Sequence, residues 1–343
     1  MHVALLVPAP LGTISGGSVY DRAISDGLRA AGHTVWMFEL AGRHPLPDEA
    51  ALAAVRAAWQ ELPDTAVPVI DGLGLPAFAP LADALVTRRA VGLIHHPTAL
   101  EPGQSDAARA ELRATERRLM PLLARVIVTS EATADRLAAE FGVTRARIAV
   151  VEPGCDDAPR SPGSGGPGCA ILSVGVLTPR KGHDVLLRAL ARLFDLDWSL
   201  TVAGGRRDPA HAHALQTLAE QLGIAGRVRF TGEVVADELE ALWRNADLFA
   251  LATQFEGYGM AIAEALKRGL PVAVTAGGAA GALVSPQTGV VCPVGDHDAL
   301  SKSLRRLIFD TRLRHDMADA AWAFGRSLPD WSEQAQRFAD ALA

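Results

Sequence analysis

Residues 152–168 read EPGCDDAPRSPGSGGPG, and the same local plan begins on either side of that stretch. A run so rich in Pro, Gly and Ser cannot be the interior of a helix or strand, because proline removes backbone donors and glycine adds conformational freedom. Before it, residues 3–7 read as a buried strand and a Gly-rich loop follows (Gly12, Gly16, Gly17). A helix over about 19–31 comes next, with Ala23, Ile24, Leu28 and Ala31 at helical spacing, and then a strand over 34–38. After it, strand (170–174), loop (175–183), helix (184–193) and strand (199–203) repeat the order. Further strands are predicted at 67–70, 90–94, 126–129, 148–151 and 248–252. Strands alternating with amphipathic helices specify α/β architecture with parallel sheets. The expectation is two Rossmann-like domains facing across a cleft, with ligands at the carboxyl ends of the strands.

The length of 343 residues suits two domains. The assigned spans are 1–153 for the first, 169–325 for the second, and 326–343 for a final helix returning to the first. Lys and Arg total 33 against 39 Asp and Glu, a net charge of −6 that excludes non-specific nucleic-acid binding, which needs a basic face. A local basic pocket for a small anion stays open. Three cysteines, an odd number in a long chain, read as reduced thiols of a cytoplasmic protein. No secretion signal is read at the start, and no apolar run reaches the ~18 residues of a membrane span.

The most informative segment is residues 255–266, FEGYGMAIAEAL, which follows a strand and precedes a helix stop at Gly269. Gly257 and Gly259 bare the backbone before a helix, so its free N–H groups and dipole suit a diphosphate. Glu256 in the loop and Glu264 in the helix suit the hydroxyls of a ligand with sugars on both sides of that diphosphate. The second constellation, GVLTPRKG over 175–182, sets Arg180 and Lys181 between Pro179 and Gly182 at a strand's end. One fork and one point charge suit phosphate oxygens. Arg206 and Arg207 are weaker additions. The basic helical stretch with Arg109, Arg113, Arg117 and Arg118 reads as a solvated face, diluted by Glu111 and Glu116.

These motifs carry a resemblance. The Glu-x7-Glu pattern of Glu256 and Glu264, with Arg180-Lys181-Gly182 ahead of it, resembles the retaining GT-B enzymes of glycosyltransferase family four. Gly16-Gly17, Gly32-His33, Val128-Thr129-Ser130, Phe230-Thr231-Gly232 and Trp331 extend the likeness along the chain. The resemblance implies transfer of a hexose from a UDP- or GDP-sugar to a hydroxyl acceptor, small-molecule, glycan or lipid. Arg180 and Lys181 would bind the diphosphate and Glu256 the sugar, beside Gly257, Tyr258, Gly259 and Met260. Glu264 would hold the ribose, and Gly16 and Gly17 would admit donor and acceptor. A family histidine that touches the transferred sugar matches one of His95 and His96. His96 is preferred as catalytic, with His95 beside it as a binding residue. Tyr20, Asp21, Arg22 and Glu101 would either line the acceptor side or cap local structure. No cofactor is implied, and no Asp-x-Asp metal pattern is read beside a strand end, so the expected mechanism needs no metal. Nucleotide-sugar epimerases, phosphorylases and non-catalytic two-lobed binding proteins share the same plan and are the alternatives. A dehydrogenase is excluded, since no Gly-x-Gly-x-x-Gly follows a strand.

Overall fold

The computed structural model describes residues 1–12 and 15–343; the part of the expected Gly-rich loop at Thr13 and Ile14 lies outside them. The chain divides into two compact units, Met1–Gly154 with Pro329–Ala343, and Cys155–Leu328. The stretch 155–168 thus belongs to the second unit. Polar side chains tie it down there: Ser164 donates through N and Oγ to Asp247, and Ser161 Oγ donates to the carbonyls of Arg244 and Ala246.

The first unit holds six strands: β1 (His2–Pro8), β2 (Thr34–Leu40), β3 (Val67–Asp71), β4 (Val91–Ile94), β5 (Arg125–Val128) and β6 (Ile148–Val150). They form one parallel sheet in the order β2-β1-β3-β4-β5-β6. The second unit holds β7 (Cys169–Val174), β8 (Trp198–Ala203), β9 (Val228–Gly232), β10 (Leu248–Leu251), β11 (Val272–Thr275) and β12 (Gly289–Cys292), in the order β12-β11-β10-β7-β8-β9. Helices cover both faces, so strands such as ALLV and LFAL are apolar on both sides and wholly buried. The order reverses between β1 and β3 in one sheet and between β7 and β10 in the other. Loops leaving neighbouring strands diverge there, and the crevice they leave is where α/β sheets bind ligands.

The start of the first helix also differs from expectation. Gly16 and Gly17 open the helix Gly16–Ala30 rather than precede it, because Ser15 caps the helix. The Ser15 hydroxyl accepts from Ser18 N at 3.1 Å, and Ser15 N donates back to Ser18 Oγ at 3.0 Å. This is a capping box with Ser in place of the usual Glu, so the start signal is easily missed.

The last helix, Trp331–Leu342, packs on the helix Gly16–Ala30, where a β-carbon on Gly27 would come within 2.5 Å of Ala335 Cβ. Trp331 stacks edge-on against Tyr20, with ring centroids 5.8 Å apart. Tyr20 is itself core, its hydroxyl donating to the Val151 carbonyl at 3.0 Å.

Candidate active site

In the second unit, Pro179 opens a short 3-10 turn over Pro179–Lys181, and Gly182 ends it at φ +62°. A β-carbon on Gly182 would lie 1.9 Å from the Ala252 carbonyl oxygen. Only glycine therefore lets the loop after β7 press against the end of β10, across the point where the strand order reverses. That approach brings Arg180 and Lys181 onto the loop that carries Glu256. Lys181 Nζ donates to Glu256 Oε1 at 2.7 Å, and Arg180 Nη1 lies 3.4 Å from the same oxygen. Arg180 Nη1 also donates to the Phe255 carbonyl at 2.7 Å, and Gln254 N donates to the Arg180 carbonyl at 2.7 Å. Thr253 Oγ1 donates to Glu256 Oε1 at 2.9 Å.

The loop after β11 completes the frame. Glu256 N donates to the Gly277 carbonyl at 3.1 Å, and Ala279 N donates to the Glu256 carbonyl at 2.9 Å. Gly278 sits at φ +63°, and a β-carbon there would stand 2.2 Å from the Glu256 oxygen.

Burial on its own would raise the Glu256 carboxyl, but Lys181 and Arg180 outweigh it and bring it down to about 2. The same burial, with Arg180 adjacent, draws Lys181 below the usual amine range against the pull of Glu256. The ionised pair is the state these contacts favour. Two cations against one carboxylate leave a net +1. His183, buried beneath the turn, is pushed down to about 3 by burial and by Lys181, so it is neutral and adds no charge.

The remaining expected residues of this unit are distributed as follows. Gly257 is half-buried, and Tyr258 packs under the loop with Cys155 and Ala263. Gly259, at φ +109°, caps the helix Met260–Lys267. Glu264 stands in a separate set of charges. Burial raises it to about 7, with Arg268 opposing and Asp156 and Glu240 adding to the rise. Arg206 and Arg207 are exposed.

In the first unit the histidine pair divides. His95 Nε2 lies 3.2 Å from Asp21 Oδ1 and 3.3 Å from Asp71 Oδ2. Asp21 comes from the helix Gly16–Ala30 and Asp71 from the end of β3, so this trio also stands where its strand order reverses. Gly17 lies against the ring: a β-carbon there would sit 3.4 Å from His95 Cδ2. His96 Nε2 instead lies 4.0 Å from Glu101 Oε2.

Three features of the fold lie outside the local motifs. Glu116 does not dilute an exposed face. It is fully buried and accepts from Thr98 N and Oγ1, both at 2.7 Å, and from Ala99 N at 3.2 Å, fixing the turn after the histidines. Two Asp-x-Asp patterns do stand beside strands: Asp195-Leu196-Asp197 at the amino end of β8, where Asp195 accepts a fork from Arg305 at 2.7 and 2.8 Å, and Asp296-His297-Asp298 after β12, where Asp296 caps the next helix by accepting from Asp298 N at 3.1 Å and Ala299 N at 2.8 Å. Asp71, Thr253, Gly277 and Gly278 gave no motif signal, since each matters only through a neighbour on another strand.

Two six-stranded parallel Rossmann-like sheets, each with charged groups gathered at the carboxyl end where its strand order reverses, define the GT-B class of fold. Solved structures agree. Sucrose-phosphate synthase from Thermosynechococcus elongatus superposes with a TM-score of 0.82 at 19% identity, covering 99% of this chain and 98% of that one. Anabaena Alr3699/HepE in complex with UDP-glucose gives 0.78 at 21%, covering 99% of each.

The family glycosyltransferase family 4 matches residues 14–158, and the family glycosyl transferases group 1 matches residues 158–323. The D-inositol 3-phosphate glycosyltransferase of Salinispora arenicola is 32% identical over 225 residues, 57% of this chain and 50% of that one. The chain spans about half the length of the curated relatives it matches. It belongs to the GT-B glycosyltransferases of family four. No helix among the described residues is long and apolar enough to cross a membrane.

Proposed function

We propose that the chain transfers a hexosyl group from a nucleotide diphosphate sugar, a UDP- or GDP-sugar, to an acceptor hydroxyl with retention of anomeric configuration. The observation that carries this reading is the Arg180–Lys181–Glu256 cluster where the strand order of the second sheet reverses. Its net positive charge suits a diphosphate, and the two cations would offset charge developing on the departing nucleotide without a metal ion. Glu256, kept ionised, is an acceptor for sugar hydroxyls, with the backbone at Gly257 and Gly259 beside it. Glu264 would take the ribose. The D-inositol 3-phosphate glycosyltransferase among its relatives and the UDP-glucose complex of Anabaena Alr3699/HepE support a nucleotide-sugar donor and a hydroxyl-bearing acceptor.

Of the histidine pair we assign the sugar-side role to His95 rather than His96, because the ring of His95 lies against Gly17 at the opening of the first helix. The setting we assign is cytoplasmic, in keeping with three buried cysteines that form no disulfide.

The test is incubation with UDP- and GDP-hexoses in the presence of a chelator, with proton NMR of the products. A new glycoside bearing the donor's anomeric configuration is expected, and Glu256→Ala should abolish it. An inverted product would refute retention. Turnover that disappears with the chelator and returns with added metal would refute the metal-free mechanism.

A further inference from the structure

Nothing in the proposed chemistry uses Asp21 or Asp71, yet both are nearly inaccessible, with side chains 5% and 6% exposed. Carboxylates are rarely buried unless something charged or hydrogen-bonding repays their desolvation. Here the shared partner is a single nitrogen, His95 Nε2, at 3.2 and 3.3 Å. A ring nitrogen flanked by two acceptor carboxylates has to carry its proton, since a bare lone pair there would face two anions. The only ring atom left to titrate is Nδ1, on the other side of the imidazole.

We propose that Asp21 and Asp71 are positioning residues for the transfer reaction: they clamp His95 by Nε2 and so present Nδ1–H as a fixed hydrogen-bond donor to the sugar. This rests on the sugar-side role given to His95 above.

Geometry and charge agree on the clamp. The two carboxylates come from different elements, one helix and one strand end, so the ring is fixed in two directions. The Leu73 N–H donates to Asp71 Oδ1 at 2.7 Å, which orients that carboxylate with its other oxygen toward the imidazole. Tyr20 meets His95 edge-on at 5.2 Å between centroids, and Thr129 Oγ1 donates to the His95 carbonyl at 3.2 Å. Burial alone would favour the neutral imidazole, but Asp21 and Asp71 reverse that and raise His95 to about 10. Burial raises Asp21 to about 6, with His95 and Arg22 opposing and Asp71 adding to the rise, and the remaining titratable group acting on the trio is His44, which feels Asp71.

The experiment is long-range nitrogen–proton NMR of the full chain labelled at its ten histidines, with His95 assigned by a His95→Gln sample. Both ring nitrogens of His95 should stay protonated to pH 9. In Asp71→Asn, whose amide oxygen can still accept from Leu73 N, His95 should lose its second proton at least tenfold more readily, with Nε2 keeping its own. The same variant should lose kcat on the alkaline side while UDP affinity stays unchanged. If Asp71→Asn does not fold, Asp21→Asn gives the same readout from the other carboxylate. Titration of wild-type His95 near the ordinary 6.5 would overturn the proposal, as would a deprotonated Nε2 or one equivalent of tightly bound divalent metal lost in the variant. Failure to turn over any nucleotide sugar would count against the proposed function, and the NMR result would still decide the clamp.

Discussion

Glu256→Gln isolates the charge of the central ion pair, because the amide oxygen still accepts from Lys181 while the negative charge is gone. Glu256 drops from 4.5 to about 2 on folding, and at about 1.4 kcal/mol per unit that corresponds to about 3 kcal/mol of stability at neutral pH. Loss of one partner from a buried pair independently suggests about 3–5 kcal/mol. The folded value lies below the unfolded one, so the contribution is complete above about pH 4.5 and fades as the pH falls toward 2. At pH 3 roughly 1.4 kcal/mol of it should remain.

The assay is native-state amide exchange at increasing urea, read on peptides from β7 and β10. These report on the second unit alone and avoid treating two units as one transition. The gap between wild type and Glu256→Gln should be about 3 kcal/mol at pH 6 and less than half that at pH 3. A gap under about 1 kcal/mol at pH 6 would mean that water screens the cluster as it does a surface pair. A gap that does not narrow in acid would show that the side chain's shape, and not its charge, sets the stability.

Three further substitutions follow from the same geometry. Gly278→Ala forces a left-handed conformation that costs about 1–2 kcal/mol and also crowds the Glu256 carbonyl; calorimetry should show a Tm at least ~2 °C lower, while Gly226→Ala, whose β-carbon meets nothing within 4 Å among the described residues, should leave Tm unchanged. Glu264 is raised on folding to about 7, so its ionisation opposes folding as the pH rises from 4.5 through 7; Glu264→Gln should match wild type in Tm below about pH 4 and exceed it at pH 8. Glu116→Ala strands the Thr98 and Ala99 N–H groups at about 1–3 kcal/mol, and deuterium uptake over residues 96–101 should rise; Glu116→Gln, which keeps an acceptor, should change it far less.

What the sequence reveals divides along one physical line. Strand positions, the two-unit plan and the Arg180–Lys181 and Glu256 motifs are local patterns, legible because apolar runs, turn residues and charge spacing act within a dozen residues. The helix start at Gly16 is hidden in the sequence because Ser18, and not Glu, closes the capping box. Glu116 looked solvent-facing because its neighbours Arg117 and Arg118 are charged. Its partners, Thr98 and Ala99, lie 18 and 17 residues earlier in sequence, across a loop and most of the helix that carries Glu116. Asp71 carried no signal at all, since a lone Asp closing a strand reads as a turn former until β4 sets His95 beside it. Non-local pairing is what Glu116 and Asp71 share, and no spacing rule encodes it.

The two charged clusters are built on opposite ratios, and this bears on which substrate each can take. The second unit gathers two cations, Arg180 and Lys181, around one carboxylate, so 2 − 1 leaves +1. The first gathers two carboxylates, Asp21 and Asp71, around one imidazole, so even with His95 fully protonated 1 − 2 leaves −1. A phosphate arriving at the first cluster would meet net repulsion in a setting that screens poorly, whereas the second cluster attracts it. A neutral hydroxyl has no such preference and needs only a donor or acceptor held in place, which the His95 clamp provides. Reversing the sign at one cluster should therefore move anion binding and leave hydroxyl recognition intact. In calorimetric titrations, Lys181→Glu should abolish binding of UDP, whereas Asp71→Asn should leave it unchanged. Equal losses in the two variants would refute the division of labour between diphosphate and sugar.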